Sequence, residues 1–308
     1  MEARRTAEEI RDVNARYHDS AARSYDWKWG IDFGETGQAQ VRRKLRKIVG
    51  PELDLGYQRA LEVGAGTGYF GLNLLQSGVV REVTCTDIST GMIARLGANA
   101  ERLGLQVKTA RAEAESLPFE SGSFDFVLGH AVLHHLPDLE RAFAEFYRVL
   151  EPGGRMVFAG EPSRLGDRLA GIPKRGAVAV APLWRAMMRA AASASSLADA
   201  RSTPTIQDDR HLERLVDVHS FVPGELSALA QRAGFAEVRV RGEELIANWF
   251  GWFNRGLEAS ADPDQVPVLW RQYAFHGYLL LQRLDERLLE PRLPAAVFYN
   301  LLLTGRRP

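Results

Sequence analysis

The sequence predicts an α/β fold: a seven-stranded, mostly parallel sheet with helices on both faces, extended by a helical cap and helical insertions. Three observations carry this. Short apolar runs alternate with segments of helical periodicity from Gln58 to about Gly160. A glycine-rich turn, LEVGAGTGYF (61–70), joins the first run to its helix. Long helical stretches then separate the later strands, where short connections would suffice.

The runs RALEV, EVTCT, VKTA, FDFVLG and RMVFAG read as strands one to five. Between them FGLNLLQSG, TGMIARLGANAERLG and DLERAFAEFYRVLEPG place apolar residues at helical spacing. In the last of these Leu139, Ala142, Phe143, Phe146, Val149 and Leu150 share a face, and Pro152-Gly153-Gly154 stops the helix. Such alternation implies βαβ units with right-handed crossovers. A sixth strand is expected at EVRVR (237–241) after the helix GELSALAQRAG, and a seventh at AVFYNLLLTG.

Around this core the chain divides into a helical cap (1–50), the strand-helix core (51–162), a helical insertion or lid (163–220), a core continuation (221–245), a second insertion (246–294) and a C-terminal strand (295–308). Lys+Arg and Asp+Glu both number 39 among 308 residues, so no basic footprint for nucleic acid exists. No apolar run reaches the roughly 18 residues of a membrane span, which excludes stable membrane insertion. The N-terminus is charged and lacks the apolar centre of a signal peptide. The single cysteine, Cys85, excludes an intramolecular disulfide, fits a reducing, cytoplasmic setting, and reads as a small core residue of strand two.

Gly64, Gly66 and Gly68 follow a strand and precede a helix, so the backbone can turn sharply and a ligand can lie against it. A dinucleotide fingerprint is usually GxGxxG, and Tyr69 occupies the place of its third glycine. Glu62 precedes the first glycine, where a carboxylate opposes a pyrophosphate and suits an ammonium or sulfonium group. Asp87 ends strand two, 21 residues after Gly66, where it can accept from both ribose hydroxyls. A helix N-cap is the alternative for Asp87, and Ser89 fills that role more naturally.

LEVGAGTG, TDIS, AEAESLPFESGSFDFVLGHAVLHHLPD and RVLEPGGRMVF, in this order, resemble the class I S-adenosylmethionine-dependent methyltransferases of Rossmann-like fold. The likeness is to the group that includes quinone-biosynthesis and natural-product enzymes, and it is dense over 58–160. It implies S-adenosyl-L-methionine as cofactor. Glu62, Gly64, Ala65, Gly66 and Gly68 would line its methionine and sulfonium end, and Asp87 would hold the ribose. Ile88 and Met92 would pack on the adenine, Glu113 would accept from its amino group, and the Ala114 N–H would meet a ring nitrogen. His130 would lie at the floor of the site, and Tyr25 with Asp26 would fold over the cofactor, as Tyr17 would in the same manner. Surface packing of those aromatics is the alternative. The chain lacks the Asn-Pro-Pro-aromatic sequence of enzymes that methylate amino groups of nucleic acids and proteins.

Methyl transfer to a hydroxyl, phenol or enol requires a base, and His130, His134 and His135 are the candidates, unless they only shape the pocket. No metal site is expected; DDRH (208–211), with His211, and His219 read as solvated loop residues. In the insertions Val180, Leu183, Trp184, Met187, Met188 and Ala191 form one stripe. Trp270, Tyr273, Ala274, Gly277, Tyr278 and Leu281 form another. These stripes read as helices packed on each other or across a homodimer, or as a lid over a small apolar or aromatic acceptor of polyketide, quinone or lipid type. Arg175, Arg185 and Arg189 beside the first stripe allow transient contact with a membrane surface. The function that follows is O- or C-methylation of such an acceptor. The alternatives are a nucleotide-dependent oxidoreductase, or a non-catalytic cofactor-binding regulator or partner subunit.

Overall fold

The computed structural model describes residues 5–193, 212 and 215–308. The chain forms two compact units: Met1–Glu161, Asp209–Val240 and Leu302–Pro308 in the first, Pro162–Asp208 and Arg241–Leu301 in the second. The motif DDRH and His211 lie outside the described residues.

The first unit begins with three helices, α1 (Ala7–Ala21), α2 (Tyr25–Trp29) and α3 (Glu35–Val49). The alternating elements follow as β1 (Tyr57–Val63), α4 (Tyr69–Gln76), β2 (Val80–Asp87), α5 (Thr90–Arg102), β3 (Lys108–Arg111), β4 (Phe124–His130), α6 (Leu139–Val149) and β5 (Leu150–Pro162). After the helix Pro223–Arg232 come β6 (Ala236–Glu243) and, near the C-terminus, β7 (Asn300–Arg306). The seven strands form one sheet in the order β3-β2-β1-β4-β5-β7-β6. β1 pairs in parallel with both β2 and β4, so the crossovers diverge there and open a crevice at the strand C-termini. β7 runs against β5: Gly153 N–H donates to Arg307 O, and Arg307 N–H donates to Gly154 O.

Buried Phe70, Phe126, Phe143, Phe146 and Phe158 fill the core between sheet and helices. Each such ring is worth about 1.5–3 kcal/mol on leaving water. Cys85 is fully buried among them. Two boundaries differ from the sequence reading. Pro152-Gly153-Gly154 does more than end α6: it lies inside β5 as an irregularity, because Phe124 pairs with Leu150 whereas Phe126 already pairs with Arg155. The last strand starts only at Asn300, since Ala295–Val297 form a 3-10 turn whose following carbonyl, Phe298 O, accepts from Ser163 Oγ.

The second unit holds the long helix α7 (Arg164–Met188), with Pro173 and Pro182 inside it, and the helices Ile246–Ala259 and Val268–Leu284. Its core joins Ala177, Ala181, Trp184, Leu257, Ala261 and Val266. A Cβ on Gly256 would lie 2.7 Å from Ala177 Cβ, so the two helices approach at van der Waals contact. This seam corrects the expected stripe on α7. Ala170, Pro173, Ala177, Ala181 and Trp184 are buried, whereas Val180, Leu183 and Met187 face solvent. Small residues won the seam because they permit close approach. On Val268–Leu284 the expected face is met by Trp270, packed edge-on against Trp184, but Tyr273 is exposed. No described helix is long and apolar enough to cross a membrane.

Candidate active site

The glycine loop leaves β1 with Gly64, Gly66 and Gly68 all at positive φ. Two of the three glycines are demanded by packing beneath the loop. A Cβ on Gly64 would lie 2.3 Å from Val132 Cγ2, and one on Gly68 would lie 2.8 Å from Leu72. At Gly66 a Cβ would meet only Tyr25 Cε1, 4.0 Å away, so this glycine presents open backbone beneath the Tyr25 ring.

Asp87 ties the loop to the next helix. Its Oδ2 accepts from Gly66 N–H at 2.8 Å and its Oδ1 from Ser89 N–H at 2.9 Å. Burial raises its carboxyl above the usual range, with His18 opposing that shift. Ser89 is the N-cap of α5, its Oγ accepting from Met92 N–H. Ile88 is half-buried, Ala65 and Ala114 are buried, and Met92 has no exposed surface.

Glu62 has partners within the protein itself. It is 1% exposed, and its Oε2 accepts from Gly71 N–H at 2.8 Å, with Cys85 Sγ at 3.6 Å. Burial pushes its carboxyl up to about 8. The side chain braces the loop from below and joins it to α4. Glu113 also has a partner that sequence reasoning missed, since Arg11 of α1 lies 3.2 Å from its Oε2.

The N-terminal helices are tied to the same region by polar anchors. Asp19 Oδ1 accepts from Ser89 Oγ at 2.6 Å and from Gly91 N–H at 2.7 Å, which completes the N-terminus of α5. Asp26 Oδ2 accepts from Arg95 and Asn99, while Asn99 also donates to Thr67 O in the glycine loop. Tyr25 is thereby held over Gly66. Burial and the nearby Asp87 charge raise its phenol.

The three histidines separate. His130 stacks on Phe70 at 4.6 Å and meets Tyr69 edge-on. His134 is oriented by Glu161, a fully buried carboxylate that accepts from His134 Nδ1 at 2.8 Å and from the backbone N–H groups of Val132, Leu133 and His134. With Nδ1 so engaged, Nε2 carries the ring's lone pair in the neutral form. Burial disfavours charge on His134, but the hydrogen bond and charge of Glu161, with Asp217 behind them, outweigh it and raise its pKa. His135 donates from Nδ1 to Val216 O at 3.0 Å, and burial plus the neighbouring His134 and His18 hold it well below the ordinary histidine range. His219, half-buried, bonds through Nε2 to Leu136 O.

His134, His135 and Asp217 bring one potential metal ligand each within 4.8 Å of one another. His135 Nδ1 is committed to the Val216 carbonyl, and the exposed Asp217 Oδ1 lies 3.6 Å from His134 Nε2 and 3.4 Å from His135 Nδ1. No sequence spacing links Glu161, Val216 or Asp217 to the histidines. A buried Glu ending strand five was the one visible hint.

Known proteins resemble this chain in sequence and fold. The methyltransferase domain family matches residues 61–158. Phosphatidylethanolamine N-methyltransferase of Cereibacter sphaeroides is 33% identical over 161 residues, spanning 51% of this chain and 75% of that protein. The chain belongs to the class I S-adenosylmethionine-dependent methyltransferases. Demethylmenaquinone methyltransferase of Thermus thermophilus is 38% identical over 115 residues, which cover 37% of this methyltransferase and 52% of the relative's length. In structure, phosphoethanolamine N-methyltransferase 2 of Haemonchus contortus shares the fold, with a TM-score of 0.58 at 17% identity over 97% of this chain and 60% of that one. The oxidoreductase alternative finds no support in these likenesses. The family's cofactor is S-adenosylmethionine, and three features of the described residues would fit it. Gly66 offers bare backbone under Tyr25, Asp87 keeps lone pairs beyond its two backbone bonds, and Thr67 Oγ1 in the loop is buried without a hydrogen-bond partner.

Proposed function

We propose that this chain methylates a small apolar or aromatic acceptor at oxygen or carbon, and does so in the cytoplasm. The observation that carries the reading is the bracket of Gly66, Asp87 and Tyr25. It combines bare backbone, an acceptor carboxylate and an aromatic cover at the switch point of the sheet. Asp87 would hold the ribose hydroxyls, Ile88 and Met92 would support the adenine, and Glu113 with the Ala114 N–H would meet its edge. Gly64, Ala65 and Gly68 would shape the loop against the methionine end. When bound, the cofactor supplies an electrophilic sulfonium methyl group whose C–S bond breaks as the acceptor attacks in line. The chain aligns the acceptor, excludes water and receives its proton.

His134 is the base in this reading. Glu161 fixes the ring, stabilises the imidazolium that forms and leaves Nε2 to take the acceptor's proton. His130 is packed against Phe70, and His135 is engaged by Val216 O, which leaves them to shape the pocket. Quinone precursors, polyketides and lipids are the acceptor classes of this reading.

Labelled methyl donor incubated with the chain and cell extract should place label in an organic-soluble product. Donor binding without any transferred label would instead favour a non-catalytic partner or regulator. Asp87→Ala should weaken S-adenosylhomocysteine binding by about 1–3 kcal/mol in titration calorimetry, through loss of a charged hydrogen-bond acceptor. Unchanged affinity would remove Asp87 from the ribose site.

A further inference from the structure

Helix α7 buries one face and exposes another with its own chemistry. Leu165, Ile172, Leu183 and Met187 are 43%, 57%, 74% and 65% exposed. Their separations of 7, 11 and 4 residues are helical repeats, so they form one stripe along the axis. Arg168 and Arg175 are exposed along one flank of this stripe, and neither makes an ion pair among the described residues. Within Arg164–Met188 the charges are Arg164, Arg168, Lys174, Arg175 and Arg185 against Asp167, five positive minus one negative, or +4, in a chain whose formal charge is +0. The cationic excess is thus local to the helix that exposes the apolar stripe. The Val268–Leu284 helix of the same unit adds Leu269, Tyr273, Leu280 and Leu284 at helical spacing, exposed by 79%, 55%, 58% and 38%. Its charged residues are Arg271 and Arg283, with no acidic one.

A stripe of this kind, with four large apolar side chains, a basic flank and no length of apolar helix sufficient to span, has the build of a segment that lies in a membrane interface. We propose that α7 is a docking surface for an anionic lipid bilayer. Leu183 and Met187 enter the acyl boundary, and Arg168 and Arg175 stand at the level of the headgroups. Charge complementarity selects this occupant: a second copy of the chain would bring the same cationic face against itself, whereas anionic lipid neutralises it. The proposal is independent of the methyl-transfer reading, because docking requires neither cofactor nor acceptor.

Vesicle co-sedimentation of the full chain tests it, with phosphatidylcholine vesicles alone and mixed with phosphatidylglycerol, at low and high salt. The chain should sediment with the mixed vesicles, less with phosphatidylcholine alone, and less again as salt screens the attraction. Leu183→Glu with Met187→Glu should lower partitioning at least about a hundredfold, since two apolar insertions are lost. Arg168→Glu with Arg175→Glu should abolish the preference for anionic vesicles, a loss of about tenfold or more. All four side chains are exposed, so melting temperatures should match wild type and show that the variants fold. Wild-type chain left in the supernatant at low salt would overturn the proposal, as would glutamate variants that still bind. Sedimentation velocity provides a further arm: a wild-type dimer that ignores vesicles, and that the glutamate pair dissociates, would assign the face to a second copy instead.

Discussion

The two units treat their most characteristic residues in opposite ways. In the first, polar side chains at the strand ends are buried and answered by backbone: Asp87 by Gly66 and Ser89, Glu161 by three consecutive N–H groups. In the second, large apolar side chains remain in water, Leu183 at 74% and Leu269 at 79% exposure. Buried polar groups fixed on both sides cannot shift cheaply, which is what holding one ligand in one pose demands. Exposed apolar groups satisfy nothing inside the unit, and a contiguous set of them marks an interaction surface. The donor site proposed above draws on the first set of residues, and the lipid-docking surface proposed above on the second.

The sharpest way to break the comparison is His134→Ala. If Glu161 and His134 act as a unit, kcat should fall about 10²- to 10³-fold while S-adenosylhomocysteine affinity holds. His134 has a raised pKa, so its base form disappears as pH falls through that value. The wild-type rate should therefore decline on the acid side, and the variant should lose that dependence. An unaltered rate would leave alignment alone as the mechanism.

Gly64→Ala comes next. It places a Cβ 2.3 Å from Val132 at a φ of +62°, and should cost about 2–4 kcal/mol by denaturant unfolding. A milder effect belongs to Glu62. Its carboxyl is raised from 4.5 to about 8, so the native state keeps a proton that the unfolded chain releases. Stability should decline as pH climbs through that window, by a few kcal/mol at most. Glu62→Gln, which keeps an oxygen for Gly71 N–H, should flatten the decline. A melting temperature with the same pH slope in both proteins would place the titrating group elsewhere. Smallest is Gly171→Ala in α7, where a Cβ meets nothing within 4 Å. It should stabilise by up to about 1 kcal/mol, in contrast to the loop glycine.

Much of the glycine-loop geometry was legible because its signals are local. The GxGxG spacing, a carboxylate ending its strand and Ser89 capping its helix are each read from a few neighbouring residues. The side chain of Glu62 points into the core, which the sequence could not show. Ala60, Leu61, Glu62 and Val63 are all buried, so the two-residue alternation that tells the faces of a strand apart carries no information here. The stripe on α7 misled because bulk was read as burial, whereas the seam went to Ala170, Ala177 and Ala181.

By itself the sequence determined the sheet, the order of its elements, the glycine loop and the carboxylate beside it, since these rest on periodicity and short-range backbone geometry. Only the tertiary structure decided which histidine is oriented, through Glu161 27 positions away and Val216 81 positions away. It also decided that Asp19 reaches 72 positions to Gly91 to close α5. Contacts across such separations arise when the folded core brings distant backbone donors and side chains together, and no spacing along the chain encodes them.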